Sequence, residues 1–225
     1  MQIYIDSSDP REIRTAREWG ILDGVTTNPS LISRGGSDMQ ATLRRVLDAS
    51  PGPVLCQVIG WEDRESMVGQ ARWLHAFSDR IVVKLPLSQA GIQALLQLKR
   101  EVPGITIAMT LVCSVAQAYL AGKAGADIVA IFNGPLDQAL DQDVDLVAPV
   151  RKIYDNYHFP TRILSCGRFP RSFGEFAAAG TDICTLRFEY LSLLYEHPFT
   201  DKRVRGFMTD WQGVFGAATW PVSGT

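Results

Sequence analysis

Eight short apolar, β-rich segments recur along the chain, and a helix-length stretch separates most of them. They are QIYID (Gln2–Asp6), GVTT (Gly24–Thr27), VLCQVI (Val54–Ile59), IVVKLP (Ile81–Pro86), ITIAMTL (Ile105–Leu111), DIVAIF (Asp127–Phe132), RILSC (Arg162–Cys166) and DICTL (Asp182–Leu186). The stretches between them carry helix signals of their own. SSDPREI puts Asp9 at an N-cap and Pro10 at the first helical position, and Gly20 closes that helix. Met39, Leu43, Val46 and Leu47 form one apolar stripe, Met67, Ala71 and Leu74 a second, and Ile92, Leu95 and Leu96 a third, each suited to lie on a sheet. Strands alternating with helices imply parallel pairing through right-handed crossovers. Eight such units in 225 residues predict an α/β fold, a compact (β/α)8 TIM barrel. The alternative is an open doubly wound sheet, which no GxGxxG or GxxxxGK[ST] turn supports. Without a linker or a break in composition, 1–225 reads as a single domain, with 198–225 as a C-terminal helix and tail.

Charge and cysteine usage narrow the function. With 22 basic against 24 acidic side chains, nucleic-acid binding by charge is not expected. No apolar run approaches the roughly 20 residues that span a bilayer, and Met1 runs straight into a strand rather than an export signal, so no membrane partner and a cytoplasmic location are expected. Cys56, Cys113, Cys166 and Cys184 are scattered without a CxxC pair, and His75, His158 and His197 form no cluster. Neither a metal site nor a cofactor is expected.

In a barrel of this type the chemistry sits at the C-terminal ends of the strands. Those ends supply Asp6, then Thr26, Thr27 and Asn28, then Gln57, Lys84, Thr110, Phe132, the Cys166–Arg168 corner, and Arg187. Most are polar, as a shared cavity requires, whereas a purely structural barrel can fill these layers with Val, Ile and Leu. Lys84 is the informative one. A strand lysine ordinarily snorkels its ammonium to water. Beside Val82 and Val83 in a closed barrel it loses hydration, which favours the neutral, nucleophilic amine. Such an amine attacks a carbonyl to give a Schiff base, an electron sink for an adjacent carbanion.

GVTTNPSLI, IVVKLP with Lys84, MTLVCSVAQA, AGADIVAIF and HPFTDKRVRGFMTDW resemble the small transaldolase and fructose-6-phosphate aldolase family over nearly the whole chain. TTNPS followed by the VVKLP lysine is the specific pair. The resemblance implies a class I aldol mechanism in which Lys84 holds a dihydroxyacetone unit taken from a sugar or sugar phosphate. By the same resemblance, Asp6 matches the aspartate that holds donor hydroxyls and manages protons; read alone it is a helix cap, a job that Asp9 does better. Thr26 and Asn28 match the donor-binding loop, although TTNPS alone is also a tight turn before a Pro-started helix. Gln57 and Thr110 match a pair that holds a catalytic water; an isolated strand threonine is ordinarily only a good β former.

The chain also departs from the family pattern. Transaldolases carry glutamate where Gln57 stands, and fructose-6-phosphate aldolases carry glutamine. At position 132 the aldolases have tyrosine and transaldolases phenylalanine, as here, so the chain is a hybrid. Pro135 takes the place of an arginine that binds sugar phosphate. In SCGRFPR, Arg168 keeps a cation, while the family serine position falls on Cys166 or Gly167. Arg187 ends the eighth strand where relatives carry a small or neutral residue. Two readings of it stand: with Arg168 it replaces the missing arginine, or it pairs with Glu189 or Asp182. Val204, Phe207, Met208, Trp211 and Phe215 make a stripe that ordinarily docks on its own barrel. In relatives the final helix reaches a neighbouring subunit, which implies a ring-like homo-oligomer, a pentamer or decamer. The reading is a transaldolase-type transfer of a ketol unit to an aldehyde, with aldol cleavage or synthesis as the alternative and a non-catalytic binding or assembly barrel as a further one.

Overall fold

In the computed structural model, which describes residues 1–134, 136 and 145–220, eight parallel strands close into a barrel in chain order. They are β1 (Gln2–Asp6), β2 (Gly24–Thr26), β3 (Val54–Gln57), β4 (Ile81–Pro86), β5 (Ile107–Val112), β6 (Ile128–Ile131), β7 (Arg162–Cys166) and β8 (Ile183–Leu186), with β8 paired back to β1. Every segment read from the sequence is a strand, with ends displaced by at most two residues. The described helices are α1 (Pro10–Glu18), α2 (Pro29–Arg34), α3 (Met39–Ala49), α4 (Arg64–Phe77), α5 (Gln89–Glu101), α6 (Val115–Lys123), α7 (Val147–Tyr157), α8 (Pro170–Ala178), α9 (Phe188–Ser192) and α10 (Pro198–Phe215). Asp9, Asn28, Asp38, Asp63, Ser88 and Ser114 each accept a backbone N–H at the start of the helix they precede. Such caps satisfy donors that the helix itself cannot reach.

Two of the expected stripes are met only in part. In α5 the buried side is Gly91, Ala94, Leu95 and Leu98, while Leu96 is exposed, and in α3 Met39 is exposed although Leu43, Val46 and Leu47 are buried. A 3.6-residue period with leucines at successive positions fits more than one face, and packing selects among them.

At the N-terminal rim, an aspartate before or at the start of each of three even-numbered strands accepts a backbone N–H from the strand before it. Asp23 takes that of Ile3, Asp127 that of Ile107 and Asp182 that of Ile163, at 2.8, 2.6 and 2.7 Å. Lys99 also bonds Asp127, and Arg151 bonds Asp182. The barrel interior above this rim is an apolar plug of Tyr4, Leu55, Val82, Ala108, Ile128, Ala130, Leu164 and Ile183. On β2 the plug position is Gly24, where a Cβ would lie 2.7 Å from the Tyr4 ring, so the missing side chain makes room for the tyrosine. Burial pushes the Tyr4 hydroxyl's pKa up, keeping it neutral in the plug.

The chain divides into two compact units, Met1–Leu191 and Ser192–Thr225. In the second, no residue of α10 is buried, and Val204, Phe207, Met208 and Phe215 are exposed. Trp211 lies against Phe215 and Trp220, with ring centroids 4.7 and 5.1 Å away, and donates to the Ala218 carbonyl. Among the described residues no helix is long and apolar enough to cross a membrane, and no group of three or more His, Cys, Asp or Glu is placed to hold a metal ion.

Candidate functional site

Strand alternation sets the next layer of the barrel. Two residues beyond the plug, on the same inward face, the strands carry Asp6, Thr26, Gln57, Lys84, Thr110, Phe132, Cys166 and Thr185. A cavity of about 400 Å³ opens above the plug, and all of these residues except Thr110 line it, together with Asn28, Leu111, Arg168 and Arg187. The change from apolar plug to polar floor takes one strand repeat. A larger cavity, about 660 Å³, shares Pro29 and Gln57 with this one. Its walls are Ile32, Met39, Leu43, Ile59 and Trp73, and it holds no charged side chain. Of the two spaces, the smaller one therefore holds the charged side chains, Asp6, Lys84, Arg168 and Arg187.

Lys84 is 7% exposed, and its Nζ donates to the Thr27 carbonyl at 2.8 Å. The amine does not snorkel out of the barrel; it is held on the cavity floor by the residue that follows β2. Gln57 is its direct neighbour across the β3–β4 ladder. Asp6, one strand from Thr26, accepts the Thr26 hydroxyl at 2.9 Å, and Thr26 in turn lies 2.7 Å from the Thr185 hydroxyl. Because Thr26 gives its one hydroxyl proton to the carboxylate, Thr185 must donate to Thr26. The result is a directed chain from β8 through β2 to the carboxylate on β1. Asn28 does two jobs. Its Oδ1 caps α2 by accepting Leu31 N–H at 3.0 Å, which leaves the amide N–H groups as donors on the cavity wall.

The side formed by β7 and β8 is cationic. Arg168 lines the cavity with its Nε buried and without a hydrogen-bond partner among the described residues. Its stem fills the space above Gly134, where an added Cβ would lie 2.4 Å from Arg168 Cγ. Arg187 also lines the cavity, half-exposed, with Glu189 at 3.9 Å, beyond hydrogen-bond reach. Asp182, its other candidate partner, is engaged by Arg151 and by the Ile163 N–H. The Cys166 thiol is pushed up to about 12, first by burial and then by the Asp6 carboxylate, against the opposing pull of Lys84 and Arg168. A pKa this high keeps the thiol protonated at neutral pH, which leaves it a poor nucleophile.

At β5 the wall departs from the strand pattern. Leu111 takes φ 60°, and the register between β5 and β6 slips between Met109 and Val112. A left-handed leucine costs roughly 1–2 kcal/mol, and it turns into the cavity a side chain that alternation would send outward.

The family model for transaldolase and fructose-6-phosphate aldolase matches residues 3–218. The chain is also 39% identical over 217 residues to a probable transaldolase of Coprothermobacter proteolyticus, covering 96% of this chain and 99% of that one. A probable transaldolase of Aquifex aeolicus is 39% identical over 215 residues (95% and 98% of the two chains), and one of Hydrogenobaculum sp. is 40% identical over 215 residues (95% and 98%). The chain belongs to the transaldolase and fructose-6-phosphate aldolase family.

Of the residues singled out in the sequence, the transaldolase-family barrel brings Asp6, Thr26, Asn28, Gln57, Lys84, Phe132, Cys166, Arg168 and Arg187 to one cavity. Thr110 is buried on β5, and the cavity wall there is Leu111 instead. Pro135 lies outside the described residues. Thr185 and Leu111 are among the lining residues that a reading of strand ends omits. Two-residue alternation from Ile183 would have found Thr185.

Proposed function

We propose that this transaldolase-family enzyme uses Lys84 to take a three-carbon ketol unit, dihydroxyacetone, from a ketose or ketose phosphate and pass it to an aldehyde. The observation that carries the reading is the buried Lys84 amine, anchored on Thr27 at the floor of a polar cavity. The amine adds to the ketose carbonyl and water leaves, giving a protonated imine. Asp6 accepts the proton of the hydroxyl next to the breaking bond. The C–C bond electrons move into the imine to form an enamine, and the first aldehyde departs. The enamine carbon then attacks the acceptor aldehyde, the proton returns, and water frees the product from Lys84. Gln57 cannot transfer its own proton at neutral pH and would act by orienting water. That amide also favours the second reading, net aldol cleavage and synthesis as in fructose-6-phosphate aldolase. Borohydride added with fructose 6-phosphate or dihydroxyacetone should fix a three-carbon adduct on Lys84, visible by peptide mass. No adduct with either ketose would refute the Schiff-base reading.

Arg168 and Arg187 are the proposed grip on the anionic end of the substrate, phosphate or carboxylate. An unpartnered, buried guanidinium N–H and a second guanidinium on the same wall support it. Arg187→Ala should raise KM for phosphorylated ketoses about 10-fold, the worth of one charge-assisted hydrogen bond, and Arg168→Ala more. Equal Michaelis constants for phosphorylated and unphosphorylated substrates in variant and parent would refute the grip.

The exposed Phe207 and Met208 on α10 support a homo-oligomer in which a second copy covers this stripe. Light scattering should return a multiple of the 24.8 kDa chain mass, and a single-chain mass at micromolar concentration would count against it.

A further inference from the structure

Leu111 is a cavity residue to which the proposed chemistry gives no task. In a regular β5, Ala108 and Thr110 face the barrel interior and Leu111 faces the helices. Here the ladder slips, Leu111 adopts φ 60°, and its half-exposed side chain lines the cavity. Glycine is the residue that such a bulge accommodates without strain. The chain instead carries a branched apolar side chain at that point. Phe132 lines the cavity from the adjacent strand end, its N–H bonded to the Val112 carbonyl at 2.9 Å. Leu111 and Phe132 thus form an apolar sector next to Lys84 on β4. The hydroxyl-binding groups of β1–β3 and the cations of β7–β8 make up the rest of the ring.

We propose that Leu111 is a specificity-determining residue that, with Phe132, keeps water from the nucleophilic carbon of the enamine on Lys84. The inference rests on the Schiff-base reading above. The enamine has two fates. In transfer, its carbon electron pair forms a bond to the aldehyde carbon, and the aldehyde oxygen takes a proton. In loss, the same pair takes a proton from water, hydroxide adds to the resulting iminium, and the carbinolamine releases dihydroxyacetone and the free amine. Only the second fate needs water at the carbon, so an apolar sector there favours transfer.

The test uses dihydroxyacetone in D2O and needs no knowledge of the natural acceptor. Deuterium uptake at its hydroxymethyl carbon, followed by NMR, reports solvent access to the enamine, and borohydride trapping reports how much adduct forms. Leu111→Asn and Leu111→Gly both tolerate the left-handed backbone, and each should raise deuterium uptake per trapped adduct at least 10-fold. Leu111→Met keeps an apolar chain at similar backbone cost and should stay within 2-fold of the parent. Unchanged uptake in the Asn and Gly variants, with adduct trapped in the parent, overturns the role of Leu111 alone. An equal rise in the Met variant also overturns it, because the effect then comes from disturbing the loop. No adduct in the parent overturns the Schiff-base reading and takes this inference with it.

Discussion

Lys84→Met should abolish the borohydride-trapped adduct and lower turnover by about 10⁴-fold or more, equivalent to about 5.5 kcal/mol of transition-state stabilisation, without lowering the melting temperature. The two halves of this expectation have separate causes. Turnover falls because no other amine in the described cavity wall can form an imine: the remaining basic side chains there, Arg168 and Arg187, carry delocalised guanidinium groups rather than amines. Stability should hold or rise because Lys84 is 7% exposed and Val82 lies two residues below it on the same face. A methionine of similar length fills that space with no group to desolvate, and the cost is one hydrogen bond to Thr27, about 1 kcal/mol. A lysine kept only for structure would behave in the opposite way. Loss of stability with turnover retained would therefore remove Lys84 from the chemistry.

The barrel was legible because its strands are short apolar runs interrupted by caps and prolines, and period-2 and period-3.6 patterns rarely imitate each other over eight repeats. Lys84 stood out for the same reason, being a cation inside IVVKLP. Asn28 was harder, since a capping asparagine and a ligand-binding asparagine have the same sequence signature, and here one side chain both caps α2 and lines the cavity. Thr185 was hidden by its ordinariness. Threonine is a good strand former, and Arg187 just beyond β8 draws the eye to charge. Leu111 could not be read at all. TLVC is an unremarkable β sequence, and the left-handed backbone that turns the leucine inward follows from how β5 meets β6. The space that Gly134 leaves for Arg168 is likewise a contact between two loops that no local pattern encodes.

Asp6→Asn should slow cleavage of a ketose donor about 10³-fold, within the range for loss of a general acid–base group, yet still trap dihydroxyacetone on Lys84. Asparagine keeps a carbonyl oxygen where Oδ1 accepts the Thr26 hydroxyl, so the Thr185–Thr26 chain and the local packing survive. The other carboxylate oxygen becomes an amide nitrogen, which cannot take the hydroxyl proton as the C–C bond breaks. Dihydroxyacetone forms its imine without breaking a C–C bond, so trapping separates the two steps. Thr185→Val removes only the donor behind Thr26 and should cost about 5-fold, the worth of one ordinary hydrogen bond of about 1 kcal/mol. If Asp6→Asn cleaved ketose at the parental rate, the proton would have another acceptor. If instead it lost both cleavage and trapping, Asp6 would be needed to build the imine or the pocket itself. The expected split, trapping kept and cleavage lost, places the carboxylate at the bond that breaks, with Thr26 and Thr185 holding it there.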